Sequence, residues 1–317
     1  MTFHYKKVIA FLFIALLTIS VNAFASAPDT LQIKIPALNG HSFIPQGRAG
    51  GTFISSFLKI SVGAAQTELI DFGVLEINGR EIYNFDGSVL FSDVDIEFQH
   101  KIKDWLGVYF RYRSAARFGN QISSLYSEGL NTISGYDLGW ILKVSEGKKH
   151  FLSTHFQISD YKTNFFYLDR FVINLIRDTV ISTSENIPSL FGTAGLHLAL
   201  APNDLIGFCI YGDIGYGESF NRDNSHLFAR LGVSADIDLY ERTRIPLGIG
   251  LKSSISSFPS YDQLEDKFTN VTGLKLAYTG SSEYIIGVET AWGILPIKSR
   301  AAKVNAILIN LQFHLFF

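Results

Sequence analysis

Two short ladders of opposite charge lie close together in this chain of 317 residues. Asp93, Asp95 and Glu97 alternate with Val94, Ile96 and Phe98, and Arg111 and Arg113 alternate with Phe110 and Tyr112. In a strand, successive side chains point to opposite faces, so a spacing of two gathers the three carboxylates on one face and the two guanidiniums on one face of the next segment. A hairpin turning about Lys103 sets Asp95 opposite Arg111 and Asp93 opposite Arg113. Directly opposed residues are near enough for ion pairs, and guanidinium–carboxylate pairs are the strong ones. Facing ladders of opposite sign either brace a wall or form a constriction that steers a polar solute. Lys143, Arg230, Asp236, Asp238 and Glu289 occupy the same polar parity on later segments, as do Asp137, Asp213, Lys252 and Lys275.

Chemistry of other kinds is poorly represented. The single cysteine, Cys209, excludes an internal disulfide framework and a cysteine-built metal site. His155, His197 and His314 fall on the polar parity, with no outward Ser–His pair apparent. No glycine-rich loop follows a strand and opens a helix. The acidic loop from Asp262 to Asp266 reads as a solvated surface. These features assign no catalytic residue, no metal ligand and no cofactor, and point away from an enzyme. A formal net charge of −2 gives no reason to expect nucleic acid as a partner.

The elements that must carry the ladders follow from the same period of two. From Ser88 onward, 11 segments of about 10–15 residues alternate apolar and polar residues. The cleanest runs from His226 to Leu239, with Leu227, Ala229, Leu231, Val233, Ala235, Ile237 and Leu239 on one side. Such segments are about twice the usual 5–6 residues of soluble strands and close to the 9–11 of a tilted membrane strand. Short connections alternate with long ones, a layout a sandwich has no reason to keep. Charged residues are only 18% of the chain and aromatic ones 14%, yet beyond the N-terminus no apolar run is long enough for a spanning helix. A chain that enters a membrane without helices must close its strands into a ring to satisfy its backbone.

The expectation is therefore all-β: a transmembrane, antiparallel, up-and-down β-barrel of about 12 strands, an even number. The first strand is placed near Thr52 to Gly63, with Ile54, Leu58, Ile60 and Val62 outward. Asn78-Gly79, between Val74–Ile77 and Glu81–Tyr83, signals a type I′ hairpin in the first outer loop. Apolar residues at helical spacing predict short outer-loop helices over 122–133 and 164–180. Gly207, Gly215, Gly217, Gly248, Gly250, Gly287 and Gly293 face inward, as curvature of the wall or as open volume around a ligand.

At the N-terminus, Lys6 and Lys7, the apolar run from Val8 to Ile19 and Ala23-Phe24-Ala25 read as a cleaved signal peptide over 1–25. Residues 26–51 are then a periplasmic or lumen segment and 52–317 the barrel. At the other end, Ile307, Ile309, Leu311, Phe313, Leu315 and Phe317 alternate up to a terminal phenylalanine. This strand resembles the C-terminal signature of Gram-negative outer-membrane barrel proteins. The resemblance implies an outer-membrane location, lipid as the surrounding partner, and recognition of Phe313, Leu315 and Phe317 by the barrel-assembly machinery. The function expected is a narrow pore or passive transporter for a small-molecule solute, with Asp93, Asp95, Arg111, Arg113, Arg230 and Asp236 at its constriction. Two alternatives stand beside it: a closed structural or adhesive barrel acting through its outer loops, and an enzyme of envelope lipid.

Overall fold

A computed structural model describes residues 35–46, 51–68, 70–77, 80–118, 129–166, 170, 174, 182–218, 225–257, 268–295 and 304–317. Residues 1–34, with the signal-peptide reading, lie outside them. Two short strands come first, β1 (Ala37–Leu38) and β2 (His41–Ser42). The wall begins with β3 (Phe57–Thr67), and a separate hairpin follows, β4 (Ile70–Ile77) with β5 (Arg80–Gly87). Then come β6 (Leu90–Lys103), β7 (Leu106–Phe118), β8 (Gly129–Glu146), β9 (His150–Phe166), β10 (Ser184–Leu200) and β11 (Ile206–Glu218). The wall ends with β12 (Ser225–Asp238), β13 (Leu247–Ser256), β14 (Thr269–Tyr278), β15 (Tyr284–Leu295) and β16 (Val304–Phe316). A one-turn helix, α1 (Tyr240–Thr243), lies in the turn after β12.

Twelve strands close into one antiparallel barrel: β3, then β6 through β16 in chain order, with β16 returning to β3. Closure is made by 11 register pairs from Ala306↔Thr67 to Phe316↔Phe57, so the ring has no open edge. Each strand sorts its residues as the alternation predicts. On β12, Leu227, Leu231 and Val233 face out and are 72%, 65% and 47% exposed, whereas Ser234, Asp236 and Asp238 face in and are buried. Apolar rings and aliphatic side chains outside, carboxylates and amides inside, is the inverse of a soluble domain and suits a lipid surround. Leu231→Arg should therefore cost about 2–4 kcal/mol if it lies near the bilayer midplane. Urea unfolding in lipid vesicles measures this, and a change near zero would mean that Leu231 does not face lipid.

Three sequence expectations are corrected here. The first strand starts later, at Phe57, and Ile54 packs inside against a cluster that includes Phe43, Phe53 and Phe151. The expected loop helices lose their flanks to strands. Residues 129–133 belong to β8 and 164–166 to β9, because both strands continue past the predicted membrane span. Within the second segment Arg170 and Asn174 have helical backbone; residues 122–128 and most of 167–180 are outside the described residues. The third concerns register. The β6–β7 hairpin pairs Asp95 with Arg113 and Glu97 with Arg111, two residues away from the pairing drawn about Lys103. The turn lies at Asp104 and Trp105 rather than about Lys103, and a bulge between Lys101 and Lys103 restores the parity that sets acid against base.

Candidate functional site: the charged lumen and its strap

The barrel interior is layered. On β3, β6 and β7 the charge ladders meet as a compact network. Arg111 donates to both carboxylate oxygens of Asp95, from Nε at 2.8 Å and Nη2 at 2.6 Å. Arg113 Nε reaches Asp93 Oδ1 at 3.2 Å. These are the two pairs drawn from the sequence, reached diagonally rather than straight across, because a long guanidinium side chain spans the diagonal of a strand pair. Lys59, buried on β3, completes the layer at 2.8 Å from Glu97 Oε2 and 3.1 Å from Asp95 Oδ2. The sequence reading missed Lys59. Its signal was parity: it alternates with Ile60 and Val62 and so had to face inward.

The other expected site residues separate. Arg230 Nη1 stands 3.8 Å from Asp213. Glu289 accepts from Lys252 Nζ and, at 2.9 Å, from Gln312 Nε2. Asp238 accepts from Thr279 Oγ1 at 2.7 Å and caps the backbone N–H of Tyr240 at 3.0 Å, at the short-turn end of the wall. Lys143 sits at that same rim, half-buried, paired with Glu146 at 2.7 Å, and is not part of the central layer. Asp236 serves a different partner: it accepts the Ile44 backbone N–H at 2.6 Å. Phe313 and Leu315 take the lipid-facing parity of β16, and Phe317 stacks on Phe98.

That bond to Ile44 belongs to a strap. Ile35–Gln46 and 51–55 lie against the inner wall, and polar wall side chains spend their hydrogen bonds on the strap backbone. Lys275 Nζ donates to Pro45 O at 2.6 Å. Ser153 Oγ donates to Thr52 O at 2.7 Å. Gln99 Nε2 donates to Phe53 O and Ser55 O, both at 2.8 Å. In return Asn39 Nδ2 donates to Ala201 O at 3.2 Å and Pro202 O at 3.0 Å. Phe43 and Phe53 pack with Phe151, Ala199 and Cys209, which seals the strap to the wall. Such an arrangement satisfies groups that would otherwise be buried without partners.

The strap also accounts for inward glycines that the sequence reading assigned to curvature or open volume. A Cβ at Gly207 would collide with the His41 ring, one at Gly248 with Ile44, and one at Gly250 with the Gln46 amide. These glycines are slots for strap side chains. Gly215 instead lies under the ring of Phe228, its register partner.

Between the strap and the charged layer is a polar cavity of about 40 Å³, bounded by Gln99, Asp137, His155, Gln157, His197 and Asp213 among others. Tyr109 Oη donates to Gln157 Oε1 at 2.9 Å, and the rings of His155 and His197 stack with centroids 3.7 Å apart. His197 Nε2 is 3.2 Å from Asp213 Oδ1.

Two exposed Ser–His pairs, contrary to the sequence reading, exist among the described residues: Ser145 Oγ and His150 Nε2 share a hydrogen bond of 3.2 Å across the β8–β9 turn, and Ser56 Oγ and His100 Nδ1 share one of 3.4 Å. A nucleophile–base pair needs a third group to orient the base. Among the described residues no carboxylate is bonded to His150 or to His100; Glu146 is engaged by Lys143, and the His100 ring stacks on Phe98. Each pair therefore lacks the third member of a hydrolytic constellation. Nor do the described residues contain three His, Cys, Asp or Glu side chains placed to hold a metal ion.

A closed antiparallel ring, apolar outside and charged within, defines a transmembrane β-barrel of the outer-membrane class. No family model matches the chain, and no curated protein does. Among solved structures it is similar to the KdgM porin in complex with disordered oligogalacturonate, with 8% identity and a TM-score of 0.41, over 81% of this chain and 99% of that one. It is similar also to a Pseudomonas aeruginosa FadL homologue, with 10% identity and a TM-score of 0.44, over 88% and 96%. A third is the translocator domain of the autotransporter NalP from Neisseria meningitidis, with 9% identity and a TM-score of 0.47, over 83% and 89%. The barrel assignment rests on the register pairs above rather than on these similarities.

Proposed function

We propose that this barrel is a narrow passive pore for a small polar solute, with the Lys59–Asp95–Glu97–Arg111 layer as its constriction. The observation that carries the reading is the placement of mixed charge around a lumen: Asp93, Asp95, Glu97, Lys59, Arg111 and Arg113 all face inward from three adjacent strands. A polar solute crossing such a layer exchanges its water for fixed hydrogen-bond partners of both signs. A hydrophobic solute would meet only desolvation cost there. Arg111 and Arg113 also set the sign of the local field. The double substitution Arg111→Ala with Arg113→Ala removes two positive charges beside three carboxylates, so the pore should shift toward cations. Reversal potentials under a salt gradient in planar bilayers read the shift. Absence of conductance above background, in wild type and double variant alike, would remove the pore reading.

One observation favours a second reading, a closed envelope scaffold: the strap occupies the lumen end nearest the short turns. In that reading the barrel stays non-conducting, and the outer loops do the work. Location in the outer membrane and recognition of the Phe313–Leu315–Phe317 strand by the assembly machinery belong to both readings.

A further inference from the structure

Positive charge gathers at one corner of the short-turn rim. The β6–β7 and β8–β9 turns are neighbours there, and the Lys143 backbone N–H donates to Trp105 O at 3.0 Å. Together the two turns carry Lys101, Lys103, Lys143, Lys148 and Lys149 against two carboxylates, Asp104 and Glu146. Both carboxylates are engaged: Lys101 Nζ is 2.6 Å from Asp104 and Lys143 Nζ is 2.7 Å from Glu146. The bond from Lys101, with a smaller contribution from the Lys143 charge, holds the Asp104 carboxyl below its ordinary value. Lys103, Lys148 and Lys149 are left exposed, and among the described residues no carboxylate stands within ion-pair distance of them.

Apolar side chains crowd the same corner. Ile102, Trp105 and Val144 are 50%, 50% and 56% exposed. Lys103 pairs in register with Leu106, which sets it on the lipid-facing side, and its Nζ lies 5.8 Å over the Trp105 ring. An interfacial tryptophan sits at headgroup level, and the cation–π contact keeps the ammonium there with it. Lys148 and Lys149 are the central residues of the next turn, which Gly147 N–H closes by donating to His150 O at 2.9 Å. Short turns are periplasmic, so this corner meets the inner leaflet of the outer membrane. A soluble or cell-wall polyanion would use only the lysines. An anionic lipid uses the lysines and the apolar side chains together.

We propose that this corner is a docking site for an anionic phospholipid of the inner leaflet. The phosphate of a phosphatidylglycerol headgroup would lie over Lys103, Lys148 and Lys149, and its acyl chains along Ile102, Trp105 and Val144. Lysine suits the task as a compact charge with three donors on a flexible stem. Each basic residue near an anionic lipid surface strengthens attachment about fivefold. The inference requires a barrel held in lipid and is independent of conduction.

The test offers the full-length chain, refolded in a non-ionic detergent, equal amounts of dioleoylphosphatidylglycerol and dioleoylphosphatidylcholine, and counts the retained lipids by native mass spectrometry. A preference for phosphatidylglycerol of roughly tenfold is expected. It should fall to near parity in the triple variant Lys103→Gln, Lys148→Gln, Lys149→Gln, and stay unchanged in Lys162→Gln, an exposed lysine toward the other end of β9. Heat-modifiable mobility on gels shows that each variant is folded. A second measurement locates the lipid: with Trp140→Phe and Trp292→Phe, Trp105 is the only tryptophan of the chain. In vesicles, brominated phosphatidylglycerol should quench it more strongly than equally brominated phosphatidylcholine, and this arm decides if the triple variant does not fold. No lipid preference in wild type, an undiminished preference in the folded triple variant, or equal quenching by the two lipids would overturn the proposal. So would retention on purified peptidoglycan that the triple variant loses, in a protein without lipid preference. Neither measurement reads conductance, so failure of the pore reading would leave both results standing.

Discussion

Deleting residues 35–46 should raise single-channel conductance severalfold while leaving the barrel assembled. The wall strands pair only with one another, and the 12-strand ring closes through β3 and β16 without help from the strap. The strap, by contrast, fills space that the wall leaves for it, with His41, Ile44 and Gln46 seated over Gly207, Gly248 and Gly250. Its removal opens that volume to water. Substitution from the wall side should act in the same direction: Gly248→Leu places a side chain where Ile44 now lies and leaves the strap sequence intact. Conductance in planar bilayers, with gel mobility as the check on folding, reads both. If both variants fold and conduct no better than wild type, the strap is not what limits passage. The buried Lys275 and Asp236 would then be left without Pro45 and Ile44, so some loss of stability is also expected, about 1 kcal/mol or somewhat more per hydrogen bond to a charged group.

Lys59→Met should destabilise the barrel by about 3–5 kcal/mol, the usual cost of leaving a buried charge uncompensated. Lys59 is 4% exposed and is the partner of Glu97 at 2.8 Å, while Asp95 keeps its bidentate Arg111. The stranded group is therefore Glu97, itself 9% exposed. Adding Glu97→Gln to Lys59→Met removes the orphaned charge and should recover most of the loss. Urea unfolding midpoints in detergent give both values. A single variant within 1 kcal/mol of wild type would mean that water reaches Glu97 and that the layer is more open than its geometry implies.

The fold was largely legible because the barrel imposes a strict local rule. Each wall strand must alternate, so Leu227 to Asp238 announces its two faces without reference to any other strand. Pairing across strands is a weaker inference. The acid and base ladders were correctly matched as Asp95 with Arg111 and Asp93 with Arg113, since charge complementarity tolerates a shift of two. The register itself was drawn two residues off, because the turn falls at Asp104 and Trp105 rather than about Lys103, and the bulge beside Lys101 takes up the odd residue that this turn would otherwise add. The strap was least legible. Residues 35–46 alternate nothing over any useful length, and their partners Asp236, Lys275 and Gln99 lie far along the chain. The inward glycines carried the information that something fills the lumen, but a glycine slot and a glycine kink look alike in one sequence. Lys59 stood on the inward parity of the expected first strand, between the outward Leu58 and Ile60, but a single lysine on that segment did not mark it as a member of the ladder on β6 and β7.

The central claim is that the oily face of each strand meets lipid while the charged face meets an enclosed lumen. Single spin labels placed in turn from Leu227 to Asp238, in the refolded protein in lipid vesicles, test it most directly. Collision with a lipid-soluble relaxant should rise and fall with a period of two along the strand, highest at Leu227, Leu231 and Val233 and lowest at Ser234, Asp236 and Asp238. Labels at Leu231 and Val233 shielded from lipid, with those at Ser234 and Asp236 open to bulk water, would contradict the account.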